Sequence, residues 1–387
     1  MTDQAHKRLE KVLPPELRLN SEMKEQILER AYQRMETQKH KKGPKLKPLV
    51  TMTAAAALSG ALVIPYAYQY QHQQAFENAL SQETIQKAVI AGTLYPDLIN
   101  GVYVEANNEI VHSNGEGIYS YSIDRKSDEL LVPLPEDAPF SSVTLKATEK
   151  WLAWETDTLQ LVNRVTGDRQ DLGETLGVLS IHGDQLFYIG SSSETGNEKM
   201  AYFLRDLETG RITKIQDLNG VSHSAPLVEE NNLVIAEQRE TDRGLSVVLS
   251  VYDLELLQQS REVVLPFTEI TNPQLTQSKV FGFFTNESGK SSLGYVDLET
   301  ERYSEISVEN EGIYAVYNDY LAVSEKTGKT DTVRLYKMTD NHAYPIDLLK
   351  GIEERLVKPR FTETGTLVVN GEGPEKPIYI IDTAKLK

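Results

Sequence analysis

Cysteine is absent from all 387 residues. That excludes disulfides, thiolate zinc sites, cysteine nucleophiles and iron–sulfur clusters, and it suits an oxidising exterior. An animal ectodomain of this size would more often carry disulfides, so a bacterial surface is the expected setting. Catalytic signatures are also missing. No His-x-His or His-Glu-x-x-His pattern occurs, no Gly-x-Ser-x-Gly elbow, no EF-hand loop and no phosphate-cradling glycine loop. His182, His223 and His342 stand far apart in sequence, and His72 sits among glutamines with no second ligand nearby. The expectation is therefore a protein that is not an enzyme, with no cofactor and no metal site.

Formal charge is missing from one long stretch. Between Lys47 and Glu77 no Asp, Glu, Lys or Arg appears, and Leu49 to Tyr68 is a largely apolar run. At about 1.5 Å per residue a helix of this length reaches roughly 30 Å, the thickness of a bilayer's hydrocarbon core. Residues 48–68 are read as one transmembrane helix, in preference to a buried core helix. A cleaved signal peptide fits less well, because 47 residues precede the run and Pro65-Tyr66-Ala67 is a poor cleavage site. Lys39, Lys41, Lys42, Lys45 and Lys47 flank it on one side, and no Lys or Arg follows until Lys87. The positive-inside rule then puts the N-terminus in the cytoplasm and the C-terminal part outside, a single-pass type II arrangement.

The two sides differ in charge. Residues 1–47 hold 12 Lys/Arg against 7 Asp/Glu, a net of +5, while the remaining 340 hold 28 against 50, a net of −22. The basic side suits an anionic lipid surface. The acidic side argues against nucleic acid as a partner. Within residues 1–47, Met23, Ile27, Leu28, Tyr32 and Met35 recur at helical spacing after the capping candidates Asn20 and Ser21. A helix of about four turns is marginal alone in water, so this apolar stripe is expected to bind a protein partner. Residues 69–92 keep approximate helical spacing through Ile85 and Ala88 and are read as a helical stalk.

Residues 93–387 repeat. A short strand ending in an acidic or amide turn recurs with Asp124, Asn163, Asp206, Asp253, Asp297, Lys337 and Asp382 at equivalent positions, at intervals of 39 to 47 residues. The turns often continue to Thr-Gly, as in Thr166-Gly167 and Thr209-Gly210, where Asp or Asn can accept forward backbone amides and Gly can take positive φ. A hydrophobic strand precedes each, for example Trp151-Leu152-Ala153-Trp154 and Gln185-Leu186-Phe187-Tyr188-Ile189. Three or four strands per unit of about 40–50 residues is the signature of a β-propeller. The fold expected is all-β, with seven blades preferred over six, preceded by one transmembrane helix and a short cytoplasmic helix.

Ser224-Ala225-Pro226 before Leu233, Asn272-Pro273 before Val280 and Lys358-Pro359 before Leu367 resemble the innermost strand of TolB-like propeller blades, although the Trp-Ser-Pro-Asp-Gly-type turn of that family is missing. The resemblance implies a binding or scaffolding propeller. Basic segment, single span and ectodomain together resemble the membrane-anchored anti-sigma factors of Gram-positive bacteria. That implies a sigma factor as the cytoplasmic partner and an unidentified extracytoplasmic ligand; the alternatives are a surface scaffold on a plain anchor and, less favoured, a propeller hydrolase or lyase. Ser222, His223 and Ser224 are the candidate channel-lining residues. Asn114-Gly115-Glu116-Gly117 and Asn370-Gly371-Glu372-Gly373 read as hairpin turns.

Overall fold

The computed structural model describes residues 84–91, 100–114, 116–135, 144–191, 199–242, 244–308, 312–327, 330–339 and 342–386. The chain divides into two units, residues 1–75 and 76–387. The first lies wholly outside the described residues. It contains the cytoplasmic stripe, the five lysines and the apolar run, so the expectations placed on them stand as sequence readings. No helix among the described residues is long and apolar enough to cross a membrane.

Seven antiparallel sheets make up the second unit. Blade one runs Val102–Val104, Glu109–Asn114, Gly117–Ser122 and Ser127–Pro133. Blade two follows with Thr144–Ala147, Trp151–Glu155, Leu159–Asn163 and Arg169–Asp171. Blade three is Thr175–His182, Gln185–Ser191, Met200–Asp206 and Ile212–Asp217. In blade four the first strand is split into Ser222–His223 and Leu227–Glu229, both paired with Asn232–Thr241, before Gly244–Asp253 and Gln258–Leu265. Blades five and six, Glu269–Glu305 and Tyr314–Ile346, have four strands each. The seven-bladed propeller is thus the architecture, and six blades are excluded.

Blade seven is built from both ends of the unit. Leu356–Phe361, Thr366–Gly371 and Ile378–Asp382 are joined at the outer edge by Ile85–Ala88, with Ile85 opposite Ile381 and Ala88 opposite Ile378. This corrects the reading of residues 69–92 as a helical stalk where the structure describes them: residues 85–88 are a strand that closes the ring. Ile85 and Ala88 are both buried and stand three apart, which in four residues imitates a helical face. Residues 69–83 lie outside the described residues.

The middle strands carry near-continuous apolar runs because both of their faces are covered. In Trp151–Glu155 every residue is buried. Successive side chains point to opposite faces of a strand, so Leu152 and Trp154 pack toward blade one while Trp151 and Ala153 pack toward blade three. The same division recurs around the ring, with one apolar layer between each neighbouring pair of blades. The layer between blades seven and one, around Ile110, Tyr121, Val368 and Ile380, completes the circle.

The repeated turn does what its residues suit it for. Asp206 Oδ1 accepts the Thr209 amide at 2.8 Å, and the Gly210 amide, at φ +72°, donates back to the Asp206 carbonyl. Asn163, Asp253, Asp297 and Asp382 each accept a forward backbone amide in the same way. These amide donors hold the Asp206 and Asp297 carboxyls below the ordinary carboxylate range. They fix hairpins and leave the chemistry to the inner strands.

Candidate functional site: a cationic cavity at the propeller axis

The first strand of each blade lies at its inner edge, and these strands approach one another from blade to blade. A cavity of about 740 Å³ opens between them, lined by blades one, two, three and seven. Three cations face it from two blades: Lys146 from Thr144–Ala147, and Lys358 and Arg360 from Leu356–Phe361.

The proline strand explains how blade seven delivers two of them. Pairing of Leu356–Phe361 with Thr366–Gly371 slips between Val357 and Arg360, a β-bulge that contains Lys358-Pro359. Lys358 sits at φ +51°, a conformation uncommon for a residue with a side chain. Asn272-Pro273 in blade five repeats the device, with Asn272 at φ +52° and the same register slip. In blades five and seven the proline that carries the TolB-like resemblance therefore marks a bulge, and in blade seven that bulge carries the ammonium of Lys358 to the cavity.

Few partners answer these charges. Lys358 Nζ donates to Asn100 Oδ1 at 2.5 Å. Arg360 Nη1 donates to Asn370 Oδ1 at 2.5 Å and to the Lys358 carbonyl at 3.2 Å, while its Nε and Nη2 are buried without a hydrogen-bond partner. Lys146 has no hydrogen-bond or ion-pair partner among the described residues. Burial lowers its pKa. Burial, then the neighbouring Arg360 and Lys146 charges, bring Lys358 down to about 8, and burial brings Arg360 down to about 10. Each of these shifts reports a charged form held at a cost.

Two carboxylates share the lining, and both are occupied. Glu105 accepts the hydroxyls of Thr362, Thr364 and Thr366. Glu363 pairs with His182 Nδ1 at 3.2 Å, spanning blades seven and three, and that bond raises the His182 pKa. Neither carboxylate forms an ion pair with the three cations.

A pH dependence follows from Lys358. Between about pH 8 and its ordinary pKa near 10.5, the unfolded chain holds a proton that the folded chain has lost, so this group makes stability rise with pH across that window. Lys358→Met removes the titration. The difference in Tm, variant minus wild type, is expected to fall as pH is raised from 7 to 10 in calorimetric scans; a constant difference would remove Lys358 as the titrating group.

Sequence reasoning placed its channel residues elsewhere. Ser222 and His223 lie on the split inner strand of blade four, opposite Gln238 and Glu237, and do not line the cavity. Ser224 Oγ donates to the Ala225 carbonyl, and His223 has no side-chain hydrogen bond among the described residues. The turn reading holds for Asn114, whose Oδ1 accepts the Glu116 and Gly117 amides. It fails for Asn370, a buried strand residue that supports Arg360. No group of metal-ligating side chains is assembled among the described residues.

No protein-family model matches the chain, and no curated protein is similar to it in sequence. Similarity to solved structures is confined to fold. Puromycin hydrolase superposes with a TM-score of 0.54 at 11% identity, over 76% of this chain and 54% of its own. The chain thus spans about half the length of that enzyme. Oligogalacturonate lyase from Vibrio parahaemolyticus gives 0.49 at 11% identity, over 78% and 97% of the two chains. TolB from Acinetobacter baumannii gives 0.38 at 11%, over 71% and 76%. The expectation that the chain is not an enzyme needs correcting. The propeller fold it shares occurs in a hydrolase, and missing sequence motifs are no argument when a propeller assembles its site from several blades.

Proposed function

We propose that the chain is a membrane-anchored binding protein. Its propeller holds a small ligand at the axis, outside the cytoplasmic membrane. Its N-terminal segment holds a protein partner, such as a sigma factor, within. The observation that carries this reading is the cavity itself: about 740 Å³, inside the usual range for small-molecule sites, with convergent polar groups whose bonding is incomplete. The charge-free run at 48–68 and the lysines before it support the anchor and its orientation. The apolar stripe of residues 23–35, too short to form a core of its own, supports the partner.

The partner half of the reading is tested by replacing Ile27, Leu28 and Tyr32 with serine in the full chain and comparing the proteins co-purified from detergent extracts. Loss of a specific partner is the expected result. An unchanged set of co-purified proteins would reduce the N-terminal segment to an anchor.

A further inference from the structure

We propose that the axial cavity binds a small organic anion, with a carboxylate or phosphate head group held among Lys146, Lys358 and Arg360. The inference rests on the reading of the cavity as a ligand site and adds the chemistry of its occupant.

Three observations converge on it. The first is a charge imbalance that runs against the rest of the molecule. Residues 48–387 carry a net of −22, yet the cavity gathers three cations from two inner strands. Like charges brought together at a low-dielectric wall repel, so that burial first, and then the Arg360 and Lys146 charges, lower the Lys358 pKa.

The second is the missing partner. An acidic chain has ample carboxylate to neutralise these groups, and elsewhere it does so. Arg164 meets Glu109 at 2.5 Å, Arg239 lies between Glu237 and Glu262, and Arg334 reaches Glu325 at 3.0 Å. At the cavity the two carboxylates present are taken up by three threonine hydroxyls and by His182. Arg360 is supported instead by an amide, Asn370, and a backbone carbonyl, neutral acceptors that leave its charge uncompensated. An uncompensated cation at a cavity wall becomes favourable once an anion supplies the counter-charge.

The third is room. Head-group recognition by a planar guanidinium and two ammonium groups suits an oxyanion, and the space beyond it accommodates an organic body. Thr144, Thr148, Asn100 and Tyr103 around that space can bond hydroxyl groups. Burial, then the charges of Glu105, Asp124 and Asp382, raise the Tyr103 hydroxyl to about 12; it donates to Asn108 Oδ1 at 3.1 Å and offers a ligand hydroxyl its acceptor lone pair.

The test is thermal unfolding of the detergent-solubilised full chain at pH 7 against rising concentrations of four probes: citrate, glucose 6-phosphate, inorganic phosphate and glucose. Wild type, Arg360→Met, Lys146→Met and the exposed-site control Lys290→Met are compared at constant ionic strength. Saturable stabilisation of wild type and control by citrate or glucose 6-phosphate is expected, and which one acts identifies the head group. At 100 times Kd such a ligand adds about 2.7 kcal/mol. The saturable shift is expected to disappear in both cavity variants, with their ligand-free Tm equal to or above that of wild type. A purely structural role would instead lower that ligand-free Tm. A saturable shift kept by Arg360→Met and Lys146→Met would overturn the proposal. So would inorganic phosphate matching the organic anions. Stabilisation by glucose alone would also overturn it, while leaving the cavity a ligand site; no response to any probe would sink both readings.

Discussion

Replacing Ile85 by aspartate is expected to lower the Tm of the full chain by roughly 10 °C. Ile85 is 1% exposed, pairs with Ile381 across the closing strand, and packs in the layer shared by blades six and seven with Leu335, Leu356 and Leu367. Losing a buried isoleucine costs about 2–5 kcal/mol, and placing a carboxylate in its site adds a desolvation penalty. A large domain loses about 2–4 °C per kcal/mol. The effect should exceed the cavity term alone, because weakening this strand uncovers the edge of Ile378–Asp382 and opens the ring. Lys87→Ala serves as the control. Its ion pair with Glu375 at 2.9 Å is largely exposed, so only a change within about 1 kcal/mol is expected. Equal and small shifts for the two variants would mean that residues 85–88 stand outside the propeller, as a stalk would.

Trp154→Ala is the second large effect, about 3–5 kcal/mol. The indole is 1% exposed in the layer between blades one and two, among Val111, Ile118, Leu145 and Leu152. The guanidinium of Arg169 lies over its ring at 5.1 Å, a cation–π contact that the alanine also removes. A drop in Tm of about 10 °C by calorimetry is expected, against a change within about 0.5 kcal/mol for Val165→Ala at a 76% exposed position. A near-neutral Trp154→Ala would contradict the inter-blade packing.

These two residues also mark what the sequence disclosed and what it did not. Trp154 belongs to a run in which every residue is apolar up to Glu155, and the turn at Asn163 returns at the propeller period, so blade two could be read directly. The period was legible because one local device, a side-chain oxygen accepting a forward amide, was reused at five of the seven turns. Ile85 was not legible. Four residues do not separate a period of 2 from one of 3.6, and the strand's partner lies almost 300 residues away. Pairing at that distance leaves no local pattern.

The cavity was legible only in part. Lys358 and Arg360 fall inside the proline strand that the sequence singled out, and two cations on an inner strand of an acidic propeller were a signal that went unused. Lys146 stands in Thr144–Ala147 with no motif around it. Asn370 looked like a turn residue because Gly371 follows it, and only the pairing of Thr366–Gly371 with Leu356–Phe361 brings it to Arg360. Ser222 and His223 share the inner-edge position but sit on a strand interrupted from Ser224 to Pro226, and none of the three lines the charged wall. Position on an inner strand is a sequence property; which inner strands face the same side of the axis is a property of the closed ring.

The central claim is that this charged wall is an anion site. A crystal structure of the propeller-containing full chain grown with the stabilising anion tests it most directly. The account predicts density for one head group within hydrogen-bond distance of Arg360 and of Lys146 or Lys358, with Glu105 still held by its threonines. A cavity holding only water at those three side chains, under conditions where the anion stabilises the chain in solution, would contradict it.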